Sequence, residues 1–270
     1  MQEKNITYPT DAKLAVKVIK KCRKIASKEH VQLRQSYRRV VKKHLFSQRF
    51  ATHSKNRKKA RASLHSLKTI AGRLIRELRR KLSSSQLAHH QTDLERFEKV
   101  ITQQRTDKNK IYSLHEPDVA CIIKGKVHKK FDRVGGRFGS KASVTLTKDT
   151  NLIVGVASFL GNPHDSNTLE GILQAVERTA GKRPKEGICD RGYRSKASVG
   201  TTQISIPKSK KHKNSYQKQK TRRKFRQRAA IEPIFSHAKQ DFRLGRNYLK
   251  GFLRDEINLT LVAMAFNLRS

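Results

Sequence analysis

The sequence predicts an α/β protein in two parts, a basic helical block over residues 1–110 and a mixed strand-and-helix portion over residues 111–270. Three observations carry this expectation. Apolar residues recur at three- and four-residue spacing through the first part, the periodicity of helices with one buried face. From about Ile111 the pattern changes, and Ala142, Val144 and Leu146 alternate as in a strand. Charge is unevenly spread, residues 1–110 holding 30 Lys and Arg against 8 Asp and Glu, a net +22, in a chain whose total is +41.

Taken in order, residues 1–10 are an extended, polar start ending near Pro9, with Thr10 or Asp11 as helix cap. Leu14, Val18, Cys22 and Ile25 mark a first helix, and Leu33, Tyr37, Val41 and Leu45 a second. The basic run Lys55–Arg61 leads into a third, with a stripe of Leu64, Leu67, Ala71, Leu74, Leu78 and Leu82, which Ser83-Ser-Ser85 breaks. Thr92-x-x-Glu95 reads as a capping box opening a fourth helix through Leu94, Phe97 and Ile101. Leu152–Val156, after the turn residues Lys148–Asn151, completes a hairpin with the Ala142 strand. Pro163 and Asp165 then introduce a helix carrying Leu169, Ile172, Leu173 and Val176, with Gly181 and Pro184 ending it. Here Asp165 reads best as a helix cap. A short strand, Gly187–Asp190, places Asp190 at its C-terminal end beside Gly192, and Ile204 and Ile206 mark another strand. Lys208–Arg228 contains no acid, and a last apolar helix lies around Leu259–Leu268.

Composition narrows the partners. A chain of 270 residues can hold one large or two small domains, and with 31% charged residues and a charge of +41 it repels itself unless a polyanion neutralises it. Nucleic acid fits that need. No apolar run is long enough to span a membrane, and the N-terminus does not read as a signal peptide. Cys22, Cys121 and Cys189 are isolated, which suits a reducing cytoplasm and not a zinc module.

The segment Phe225–Lys239 carries the densest pattern. Phe225, Arg228, Glu232 and Lys239 follow one another at three, four and seven positions, the spacing of one helical face. Read alone, an Arg-x3-Glu pair is a solvated face worth a few tenths of a kcal/mol. Glu232, however, sits among Ile231, Ile234 and Phe235, which predicts a carboxylate near the core boundary, where it needs a cation. Pro233 predicts that the helix starts near Ala230 or kinks there, leaving Phe225 and Arg228 ahead of it.

This pattern resembles the Tyr-x2-Arg-x3-Glu-x6-Lys signature of bacterial insertion-sequence DDE transposases of the IS-four/IS-five group, with Phe225 in place of the Tyr. The resemblance extends through Arg243–Gly251, Cys189–Arg194, Gly161–Asp165, Lys124–His128 and Gln2–Asp11, nearly the whole chain. It implies an RNase H-like core in which the helical block is an insertion between the first and second strands, and 111–270 is the C-terminal part of the catalytic domain. It further implies a bacterial, cytoplasmic, nucleoid-associated enzyme that cleaves and transfers DNA strands. DNA, as transposon ends and target, is the implied partner; a homodimer is compatible with it.

Two Mg2+ (or Mn2+) ions about 3.5–4 Å apart can stabilise both the attacking and the leaving oxygen of a phosphodiester, and such hard cations take carboxylate oxygens. By resemblance Asp190 and Glu232 are catalytic metal ligands, although an isolated Asp-Arg-Gly would read as a capped turn. Arg228 and Lys239 would hold phosphate, the one as a bidentate fork and the other as a point charge. Arg191 and Arg194, and Lys124, Lys126 and His128 with Lys129 and Lys130, are expected to face DNA. Relatives carry a further Asp on a strand reading roughly Val-Asp-Thr-Thr, immediately ahead of the equivalent of Gln2–Thr7, and an N-terminal DNA-binding region. Both are expected to be missing here, leaving a truncated, catalytically impaired copy in which Glu3 or Asp11 would be the substitute, though no strand pattern places either. A second departure is Arg133–Arg137, an extra hairpin loop. The alternative reading is a basic nucleic-acid-binding protein without catalysis.

Overall fold

The structure, a computed structural model, describes residues 1–104, 106–122, 137–194, 196–207, 214–229 and 231–269. The chain divides into one unit of residues 6–117 and another of residues 1–5 with 118–270.

In the first unit, Thr10 caps α1 (Asp11–Lys28) by accepting the Lys13 N–H at 3.3 Å. The apolar stripe buries Val18, Ile19 and Cys22 almost completely against α3 (Arg57–Lys81), whose Leu67, Leu74 and Leu78 are fully buried. Each such side chain contributes about 1.5–3 kcal/mol of burial. Burial also pushes the Cys22 thiol up to about 12. Ile111 and Leu114 close the same core. Two expectations fail in detail. The second helix, α2 (Arg38–Phe46), excludes Leu33, because Tyr37 adopts a left-handed φ of 52° that ends any helical run before it, and Leu45 faces solvent. The fourth, α4 (Ser84–Thr102), opens eight residues before Thr92, with the capping box formed by Ser83 and Gln86. Thr92 and Glu95 lie inside it.

In the second unit, the predicted hairpin is present as β3 (Arg137–Leu146) and β4 (Ile153–Phe159), antiparallel from Lys141 opposite Phe159 to Leu146 opposite Ile153. β1 (Gln2–Lys4) pairs antiparallel with β3, Gln2 opposite Ser140, and parallel with β8 (Arg246–Asn247). With β2 (Ala120–Ile122) the sheet runs β2-β3-β1-β8, and β4 pairs with β3. α5 (Leu169–Ala180) ends at Gly181, in a left-handed conformation at φ 69°. It approaches β4 so closely that a side chain at Gly155 would strike Val176. A separate sheet, β5-β7-β6, is made of β5 (Glu186–Ile188), β6 (Ser198–Val199) and β7 (Thr202–Ser205). The C-terminal helix α8 (Phe252–Arg269) packs Leu259 and Val262 against Ala142, Val144 and Val156.

A buried polar network joins the first strand to the last helix. Lys4 Nζ pairs with Asp255 Oδ1 at 2.7 Å and donates to the carbonyls of Leu249 and Gly251 at 3.0 and 3.2 Å. Asn247 Nδ2 donates to Asp255 Oδ1 at 2.6 Å. This network fixes the β1–β8 edge.

Candidate functional site

Asp190 stands where β5 ends. The Cys189 N–H donates to Ser205 O at 2.9 Å, extending the parallel β5–β7 ladder by one residue. Asp190 then caps a 3-10 turn over Arg191–Tyr193, its Oδ1 accepting the Gly192 N–H at 2.7 Å. The second oxygen, Oδ2, faces Arg228 Nη2 at 3.7 Å, in a pair whose side chains are 32% and 44% exposed. One oxygen is therefore committed to the turn and the other faces Arg228, on a side chain that is 44% exposed.

The Arg228 contact follows from how α6 (Ser215–Arg228) is anchored. This helix has no apolar stripe, and periodicity leaves it unassigned. Lys224, one turn before Arg228, pairs with Glu186 at the start of β5, and donates to Ser205 Oγ on β7 at 3.0 Å. Lys224 and Arg228 thus share a helix face and hold both ends of the Glu186–Asp190 segment. Hydrogen bonds from Lys224 and Ser205 keep the Glu186 carboxyl below its ordinary range.

The four signature residues do not share one helix. Phe225 and Arg228 belong to α6, whereas Glu232 and Lys239 lie on α7 (Ile231–Gln240), the break falling where Pro233 predicts it. Glu232 is exposed, not at the core boundary, and its carboxylate has no hydrogen bond or ion pair among the described residues. The helix turns Ile234 and Ala238 inward and leaves Glu232 on the outer side. Lys239 is half-buried on the same helix, while Arg191 and Arg194 are exposed around Asp190. Lys124, Lys126, His128, Lys129 and Lys130, and the loop through Gly136, lie outside the described residues.

Asp165 has a different part from the helix cap expected of it. His164 caps the short 3-10 turn Asp165–Thr168 ahead of α5, its Nδ1 accepting the Ser166 N–H at 3.4 Å, and Thr168, the residue before α5, makes no side-chain cap. The Asp165 carboxylate instead binds Lys141 Nζ at 2.5 Å, and a Cβ on Gly192 would stand 2.5 Å from Asp165 Oδ2 and 3.0 Å from Asp190 Oδ1. Two carboxylates therefore flank one glycine, each with its own cation. Burial raises the Tyr193 phenol above its ordinary value, a Thr168 hydrogen bond opposes this, and the charges of Asp165 and Asp190 add to it. Burial and then the charge of Asp190 push Cys189 up to about 11.

Asp190 and Glu232 are hard oxygen donors of the kind Mg2+ or Mn2+ takes. They fit in kind and fall short in number, since no three His, Cys, Asp or Glu side chains gather to hold a metal among the described residues. Of the two expected substitutes, Glu3 pairs with Arg137 at 2.8 Å, and Asp11 lies in the first turn of α1. Among the described residues no helix is long and apolar enough to cross a membrane. A family model described as "Transposase DDE domain" matches residues 98–268, more than half of the chain. No curated protein and no solved structure matches it.

Proposed function

The chain belongs to the transposase DDE domain family, and on that premise we propose that it is the transposase of a bacterial insertion sequence of the IS-four/IS-five group, acting on DNA in the cytoplasm. The observation that carries the reading is the Arg228–Asp190 contact, which joins the signature segment to the turn after β5. Asp190 and Glu232 would hold divalent metal. When bound, such ions stabilise the attacking and leaving oxygens of phosphodiester exchange. Arg191 and Arg194 are exposed beside Asp190 and would face DNA, and Lys239 would add a point charge from α7.

An RNase H-like core and a missing carboxylate are part of the proposal. The order β3, β4, α5, β5, β7, α7 supports that core. Over 141–146 β3 pairs with β4 alone, so one of its two edges is free there among the described residues, next to where β1 pairs at Gly139 and Ser140. The antiparallel register of β1 directs a strand continuing it upstream along that edge, where it could bring a third acid. With only these two carboxylates assigned to metal among the described residues, the site would be impaired in cleavage. Calorimetric titration of Mn2+ into the full chain tests the ligand assignment: binding is expected, and is weakened by both Asp190→Asn and Glu232→Gln. Binding unaffected by either substitution overturns it, and favours a basic DNA-binding protein without catalysis.

A further inference from the structure

The helical unit contains a cleft of about 1180 Å³ between α3 and the segment 30–37. Left-handed residues bound this segment, His30 at φ 54° and Tyr37 at φ 52°. Two contacts pin it to α3: the Arg34 N–H donates to Glu77 Oε1 at 2.7 Å, and Lys81 Nζ donates to Gln32 O at 2.7 Å. Leu33 and Tyr37 are packed on the core beneath. The walls are thus held in place by bonds internal to the unit.

The charges inside are not balanced. Arg34, Arg73, Arg76 and Arg80 line the cleft and are exposed. Of the two carboxylates that line it, Glu29 is paired with His90 at 2.8 Å and Glu77 with Lys81 at 2.8 Å. The four guanidinium groups have no paired carboxylate among the described residues. Arg73, Arg76 and Arg80 are spaced three and four apart, hence on one face, and span about 10 Å of helix. Duplex DNA carries a charge every ~1.7 Å of its axis, so this row meets several phosphates at once.

We propose that this cleft seats the phosphate backbone of duplex DNA, with Arg73, Arg76 and Arg80 as the contacting row and Arg34 facing them. The proposal rests on the reading of the chain as a DNA-acting protein, and assigns a particular surface to that contact. Backbone contacts of this kind position a duplex without reading its sequence.

The test is fluorescence anisotropy of the full chain with a labelled duplex of arbitrary sequence, at salt between about 50 and 200 mM. The triple variant R73Q/R76Q/R80Q is compared with R57Q/K58Q/K59Q, which removes the same charge from exposed positions on α3 outside the cleft. Thermal melts confirm that both variants fold. The cleft variant should bind about tenfold or more weakly, and its slope of log K against log salt should be shallower by about 2–3, near 0.9 for each lost phosphate. The control should stay close to wild type in slope. Equal losses in the two variants, or none in the cleft variant, overturn the cleft assignment alone. No salt-sensitive binding by the wild-type chain overturns both it and the DNA-acting reading, and tighter binding of single-stranded RNA overturns the choice of duplex DNA.

Discussion

Replacing Lys4 by Met removes one half of a buried ion pair and leaves the other half in place. Lys4 and Asp255 are 6% and 2% exposed, and the ammonium meets Asp255 and two backbone carbonyls. Without it Asp255 keeps the Asn247 amide, which cannot neutralise its charge. Breaking a buried pair from one side costs about 3–5 kcal/mol. In a unit of this size each kcal/mol moves the melting temperature by about 2–4 °C, so Lys4→Met should melt about 6–20 °C lower in calorimetry. The double variant K4M/D255L removes both charges and should recover most of the loss, because two apolar side chains of similar volume replace the pair. A single variant melting within about 2 °C of wild type would show that the pair does not hold β1 to α8.

Three further outcomes follow from the same geometry. Ser83→Ala should cost the helical unit about 1 kcal/mol through loss of the α4 cap, whereas Thr92→Ala should stay within about 0.5 kcal/mol; denaturant titration separates them. Gly192→Ala places a methyl group against the Asp165 and Asp190 carboxylates and should destabilise by about 1–3 kcal/mol, with part of the loss recovered in G192A/D165A. The Glu186 carboxyl lies below its ordinary value of 4.5 in the folded chain. Its contribution to anchoring α6 is therefore present above that value and is lost as pH falls through the folded one. Limited proteolysis within residues 214–228 should increase over that acid window, and Glu186→Gln should remove the pH dependence.

Much of the strand order was legible because it rests on local chemistry. The alternation of Ala142, Val144 and Leu146, the turn at Lys148–Asn151, and Gly181 after α5 each specify their element without help from distant residues. The α4 start was misplaced because Ser83-x-x-Gln86 and Thr92-x-x-Glu95 satisfy the same pattern, and only the exit of α3 at Lys81 selects the former. α6 was not legible at all: polar contacts of Lys224 and Arg228 hold it to another sheet, and hydrophobic periodicity carries no trace of them. The i,i+4 spacing of those two cations was the available signal. Asp190 at a strand end was read from sequence; the proximity of Asp165 to it was not, because it depends on Lys141 and Gly192 meeting in the fold. Exposure of Glu232 went unforeseen because the apolar residues near it, Ile234 and Phe235, turn to a different side of α7.

The assignment of Asp190 and Glu232 as ligands that lack a third carboxylate is most directly tested by supplying one. A chain extended with a Val-Asp-Thr-Thr strand ahead of Gln2 should pair along the free edge of β3 and nick supercoiled DNA in the presence of Mg2+ or Mn2+. The activity should be lost in Asp190→Asn and in Glu232→Gln, and be absent from residues 1–270 without the strand. Nicking that survives both substitutions, or an extended chain that binds DNA yet never cleaves it, would contradict the account.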